Sequence, residues 1–154
     1  MAVGGVGDER ELLGSTLAFL REAVLRKVDG LSEEQARWTP EGGLLPLVGI
    51  VDHLAHVEWR WIDGAFQGEE VSRSEEEFLA TDVSLADAVA RYRERGRLTD
   101  EVVRSVSSLN VHGQGEWGGH RDLRWILIHL IQETARHAGH ADATRELLDG
   151  TKGT

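Results

Sequence analysis

The sequence predicts an all-α fold: a four-helix bundle with one long crossover between its second and third helices. Three observations predict it. Alternating apolar and polar runs, the signal of a half-buried strand, are nearly absent. Four stretches of roughly 20 to 26 residues repeat apolar residues at three- and four-residue steps instead. The segment between the second and third stretches, residues 67–83, is acidic and without sustained period. At up to about 3.3 Å per residue it can return along a helix of about 30 Å, a length that a tight antiparallel turn would not need.

The first helix begins at Asp8, carries Leu12, Leu13, Thr16, Leu17, Leu20, Val24 and Val28 on one side, and stops near Gly30. Ser32 and Gln35 have the spacing of a capping box, so a short helical turn should reach Trp38. The cluster TPEGG (39–43) breaks the chain. Pro46 suits the first position of the second helix, which runs to Phe66 with Leu47, Ile50, Val51, Leu54, Val57, Trp61 and Ala65 as its apolar stripe. Ser84 with Asp87 caps a third helix over 85–109, whose buried side is Leu85, Val89, Tyr92, Leu98, Val102 and Val106. A glycine-rich loop (110–120) leads to the fourth helix, 123–148, ended by Gly150.

These elements account for one domain over 1–154, with residues 1–7 and 151–154 expected to be flexible. The net charge of -10 argues against a nucleic-acid partner, which needs a basic face, and against anionic membrane surfaces. No apolar run reaches the roughly 18 residues of a membrane span. The start, MAVGGVGDER, lacks the features of a secretory signal, so a cytoplasmic location is expected. The chain has no cysteine. A thiol in its chemistry must therefore come from a cofactor or substrate.

The fourth helix carries His129, Glu133, His137 and His140. At about 100° per residue, His137 falls about 40° from the centre of the stripe formed by Leu123, Ile126, Leu127, Leu130, Thr134, Ala138, Ala141 and Leu148. Glu133, four residues earlier, leans to the same side, while His129 and His140 lie near the rim. On the second helix His53 flanks the apolar stripe, and His56 points away from it. Glu58 falls inside the stripe and needs a partner there. Two readings stand. Glu133 and His137 form an ion pair at the bundle edge, or they join His53 as three ligands of a divalent metal, leaving a position open for a substrate.

At these residues the chain resembles the DinB superfamily. The segments LVGIVDHLAHVE (47–58) and LRWILIHLIQETARHAGHAD (123–142), with RWTP (37–40) upstream, are similar to the branch of mycothiol-dependent maleylpyruvate isomerases and S-transferases. The resemblance spans nearly the whole chain. It implies an up-down-down-up bundle holding a divalent metal, zinc or nickel, on three side chains. Carried over residue by residue these are His53, Glu133 and His137, with glutamate where many members have histidine. It further implies a thiol S-transferase or isomerase, in which the metal activates the thiol of mycothiol to attack an electrophilic small molecule. His140 and Arg145 are candidates for binding that cofactor, and His129 for lining the pocket. Arg145 has a competing role as salt-bridge partner of Asp142 or Asp149. A homodimer is expected, with Trp59 and Trp125 off the core stripes as candidate interface residues. The alternatives are a non-catalytic, stress-related bundle that binds a metal or small molecule, and a structural dimer in which the three residues are only a polar cluster.

Overall fold

The computed structural model describes residues 8–116 and 118–153. The expectation of a flexible segment at 1–7 falls outside the described residues, as does Thr154. The described chain is helical: α1 Glu9–Arg26, α2 Glu33–Arg37, α3 Leu47–Trp59, α4 Leu85–Ser105 and α5 Leu123–Asp149. Among the described residues the only β pairing is an isolated bridge between His112 and Asp122.

Local chemistry sets the helix starts. Side chains of Asp8, Ser32, Ser84 and Asp122 each accept a hydrogen bond from a first-turn backbone N–H, and Ser32 with Gln35 completes both halves of its capping box. Gly150 closes α5 in the left-handed conformation, φ 78°. Pro46 stands one position earlier than expected: it precedes the first residue of α3 and offers no side-chain cap. The second helix does reach Phe66, but its last seven residues, Arg60–Phe66, widen into a π-helix.

End-to-end contacts fix the directions. Arg124 pairs with Glu9 at one end of α1 and α5, and Lys27 with Asp142 at 3.0 Å at the other, so these helices run parallel. Arg10 at the start of α1 donates to the Val106 carbonyl beyond α4 at 2.8 Å, so α1 and α4 are antiparallel. Thr144 donates to the Leu45 carbonyl while Trp61 packs on Trp125, which sets α3 against α5. Arg91 and Arg95 on α4 meet Asp52 and Asp63 in the same order, so α3 and α4 are parallel. The helices therefore run up-down-down-up, and the segment 67–84 is the long crossover that two parallel neighbours require.

The core forms two apolar clusters, one around Val24, Leu47, Leu54 and Tyr92, the other around Leu17, Ile62, Leu123 and Leu130. Between them along each helix sit buried polar side chains: Arg21, Glu58, Thr99 and Thr134. This polar layer widens the expected face of α4, of which Tyr92 is buried and Leu85, Val89, Val102 and Val106 pack against the core. Its fully buried residues are Ala88, Tyr92, Arg95, Gly96, Thr99 and Val103, whereas Leu85, Val89, Leu98, Val102 and Val106 are only half-buried. The reason is that α4 turns a small-residue face to the layer. The Arg21 side chain lies over Gly96, where a Cβ would come within 3.2 Å of the guanidinium. The glycine-rich loop has a similar explanation. Its N–H groups of Gln114 and Gly115 donate to the Phe66 and Ala65 carbonyls at the π-helix end, and a Cβ on Gly118 would overlap the Ala65 carbonyl.

The crossover is not irregular throughout. Glu75–Leu79 form a 3₁₀ turn packed on α3. Arg37 of α2 holds its exit by donating to the carbonyls of Ala80 (3.0 Å) and Val83 (2.5 Å). The turn sits so close to α3 that a Cβ on Gly49 would overlap the Phe78 carbonyl oxygen. Gly49→Ala is accordingly expected to destabilise the protein by about 1–3 kcal/mol through overpacking, read as a lower denaturation midpoint. A midpoint equal to the parent's would show that the turn moves aside at no cost.

Candidate metal centre

Two helices and the crossover turn build the site. His53 comes from α3; Glu133 and His137, one helical turn apart, come from α5. The antiparallel crossing brings the His53 and His137 rings edge to face, with centroids 4.7 Å apart. His137 Nε2 lies 3.7 Å from Glu133 Oε2. One donor atom from each of the three residues falls within 4.8 Å of the others. His53 and His137 are buried and Glu133 is half-buried.

The crossover supplies the support. Glu77 Oε2 accepts from His53 Nδ1 at 2.7 Å. Arg60 grips the same carboxylate with two hydrogen bonds, 2.6 and 3.1 Å. Burial works against the Glu77 charge, but the bonds from Arg60 and His53 outweigh it and hold the carboxyl below its ordinary range. A carboxylate only accepts, so Nδ1 of His53 carries the proton and Nε2 keeps its lone pair. Phe78 stacks on His53 with centroids 3.9 Å apart. Burial lowers the pKa of His53. Burial and the nearby His53 ring push His137 down to about 4. Both imidazoles are thus neutral near pH 7, the form that binds metal.

The donor set fits a divalent ion. Two imidazole nitrogens and a carboxylate oxygen are ligands that zinc and nickel accept. Bonds of about 2.0–2.2 Å in a tetrahedron place donors about 3.3–3.6 Å apart, so the present spread closes with shifts of about an ångström. Glu77 on the far nitrogen of His53 is the outer carboxylate that orients such a ligand.

Other expected residues divide. His140 is next to the cluster, with its Nδ1 3.4 Å from His137 Nδ1. His129 lies apart from it, stacked on Trp125 and against Trp61, and burial lowers its pKa. Trp125 is 40% exposed. Arg145 bonds Asp149 and the Lys27 carbonyl, both at 2.9 Å, and so ties α5 to α1. His56 bonds the Asp52 carbonyl at 2.8 Å and is not in the cluster. Glu58 finds its partner in Arg21. Sequence reasoning missed Glu77, Arg60 and Phe78. A signal existed for the turn: Ser74 and Glu77 have the S-x-x-E spacing of a helix start. The pairing of Glu77 with His53 is long-range and leaves no such mark.

The family described as Mycothiol-S-transferase matches over residues 12–150. Among solved structures, the chain is similar to one titled "Crystal structure of the conserved protein of locus from Enterococcus faecalis". The identity is 16%, over 95% of this chain and 100% of that one, with a TM-score of 0.67. That likeness is one of fold. No curated protein matches the chain.

Proposed function

The chain belongs to the Mycothiol-S-transferase family, and from that premise we infer that it is a metal-dependent thiol S-transferase of the DinB type with its centre at His53, Glu133 and His137. The observation that carries this reading is the convergence of three metal-type donors from two helices, within 4.8 Å of one another, in a member of that family. A divalent ion held there, zinc or nickel, supplies positive charge that favours the thiolate over the thiol at neutral pH.

The chain's own part is to hold and shield. Arg60 fixes Glu77, Glu77 fixes the His53 ring, and Phe78 covers it. Burial keeps both imidazoles unprotonated. The chain has no cysteine, so the reacting sulfur is not the protein's own, and on this reading, which the family supports, it is that of mycothiol. In a transfer the thiol loses its proton, a carbon–sulfur bond forms at the electrophilic carbon, and the leaving group departs with the bonding pair. We assign His140 to the cofactor's approach, a role supported by its place beside His137. Reducing conditions that keep such a thiol free accord with a cytoplasmic location.

Metal-loaded protein is expected to conjugate mycothiol to a model electrophile faster than it conjugates bacillithiol or glutathione, followed by loss of free thiol. Metal bound at one ion per chain without transfer to any of the three would favour the non-catalytic metal-binding alternative. Glu77→Gln keeps the side-chain shape but weakens the hydrogen bond that orients His53. It is expected to lower metal affinity about 10- to 100-fold, measured by competition with a chromogenic chelator. An unchanged affinity would remove Glu77 from the site.

A further inference from the structure

Beside the metal cluster, two cavities open along α3, the larger against α4 and the smaller against the crossover. Their volumes are about 510 and 370 Å³, and none of His53, Glu133 and His137 lines either. Both fall in the size range of small-molecule sites. They share Asp52, His56 and Trp59 and so adjoin. The larger is walled by Ala55, Trp59, Ala90 and Leu98. The smaller is polar, with Ser72, Ser74 and Thr81 in its wall.

Charge decides what suits this seam. Some lining groups are already answered: Glu77 by Arg60, Glu94 by Arg97, and Arg95 by Asp63. What remains is Asp52, Glu76 and Asp82 against Arg91 and the His56 imidazole. Asp52, at the junction, is 2% exposed, and its Oδ1 has no hydrogen-bond partner. Its other oxygen, Oδ2, has His56 Nδ1 at 3.5 Å, and Oδ1 faces only Arg91, 3.7 Å away on a side chain that is 52% exposed. A buried carboxylate oxygen left without a donor is costly, and a ligand that donates to it recovers that cost. Arg95 Nε also lacks a partner, but Asp63 lies 2.9 Å from its guanidinium and answers its charge.

We propose that this seam is a binding site for a small organic ammonium ion with an apolar or aromatic body. The ammonium sits against Asp52 at the junction, and the body lies between Trp59 and Leu98. Acids are excluded by the surplus carboxylates, and neutral analogues leave the Asp52 charge unanswered. The proposal does not rest on the thiol chemistry, although the smaller cavity shares Glu77 with the support of His53.

Titration of the full chain with 2-phenylethylammonium chloride, followed by ¹H–¹⁵N NMR and calorimetry, tests the assignment. One saturable site with millimolar or tighter affinity is expected, with shifts confined to the α3, α4 and crossover residues that line the two cavities. The neutral 2-phenylethanol and the anionic 3-phenylpropionate are expected to bind on the order of tenfold more weakly or not at all. Asp52→Asn, nearly isosteric, is expected to weaken the amine on the order of ten- to a hundredfold. Ala90→Phe, on an exposed position, fills the apolar cavity and is expected to abolish binding even if Asp52→Asn does not fold. Metal content is expected to be the same in Ala90→Phe as in the parent. No saturable binding of the amine, equal binding of the alcohol or acid, or indifference to Ala90→Phe overturns the proposal.

Discussion

His137→Ala is expected to reduce divalent metal from one ion per chain to near zero, while His56→Ala retains the full complement. The argument is facial and structural at once. His137 is 6% exposed and stands between the other two donors in contact, 4.7 Å from the His53 ring and 3.7 Å from the Glu133 carboxylate. Its removal leaves His53 and Glu133, one nitrogen and one oxygen from different helices, without the residue that bridges them. Two such ligands do not make a stable zinc or nickel site. His56 is the right control, because it lies on the same helix as His53 only three residues away, yet its ring is turned to the Asp52 carbonyl. Metal analysis after reloading and gel filtration reads both variants. Equal loss in the two would sink the assignment of ligands by helix face, and full retention in His137→Ala would leave the cluster as a polar network. A fold check by circular dichroism separates loss of the site from loss of the helices.

What could be read from the sequence was what depends on near neighbours. The caps at Ser32 and Ser84 and the stop at Gly150 are set by residues three or four positions away, and they form as read. The inward lean of His53, Glu133 and His137 follows from about 100° per residue applied along each helix separately. Partnership across the fold was less legible. Glu58 plainly needed a counter-charge, but Arg21 stands 37 residues away with an ordinary helical context. Glu77 lies in an acidic segment where one carboxylate looks like the next, and only the packing of the crossover on Gly49 selects it. The face of α4 was only partly legible, because its inner residues include Ala88, Gly96 and Thr99, which carry little hydrophobic signal. Their smallness makes room for Arg21, a reason that sits on another helix.

Breaking that Arg21–Glu58 pair from one side is expected to destabilise the protein more than any other single change considered. Glu58 is 1% exposed and receives two hydrogen bonds from Arg21, at 2.9 and 2.7 Å. Burial opposes the Arg21 charge, but Glu58 outweighs it and holds the guanidinium above its ordinary pKa. In Glu58→Ala the arginine stays buried with Asp100 as its remaining partner at 3.1 Å, through one nitrogen. The cost of stranding a buried charge is about 3–5 kcal/mol, a large part of a total stability of about 5–15 kcal/mol. The double variant Arg21→Met, Glu58→Leu removes both charges and fills similar volume. It is expected to be markedly more stable than Glu58→Ala, because the stranded charge, not the missing attraction, dominates the single variant. Urea midpoints of parent, single and double variants decide this. A single variant within 1 kcal/mol of the parent by order of magnitude would mean that the pair behaves as a surface ion pair. A double variant as unstable as the single one would mean that α4, packed through Gly96 onto the arginine itself, depends on that side chain's shape. Either way the layer ties α1 to the helix that carries His53, so the double variant also asks whether the donor spacing survives when the charges that align those helices are gone.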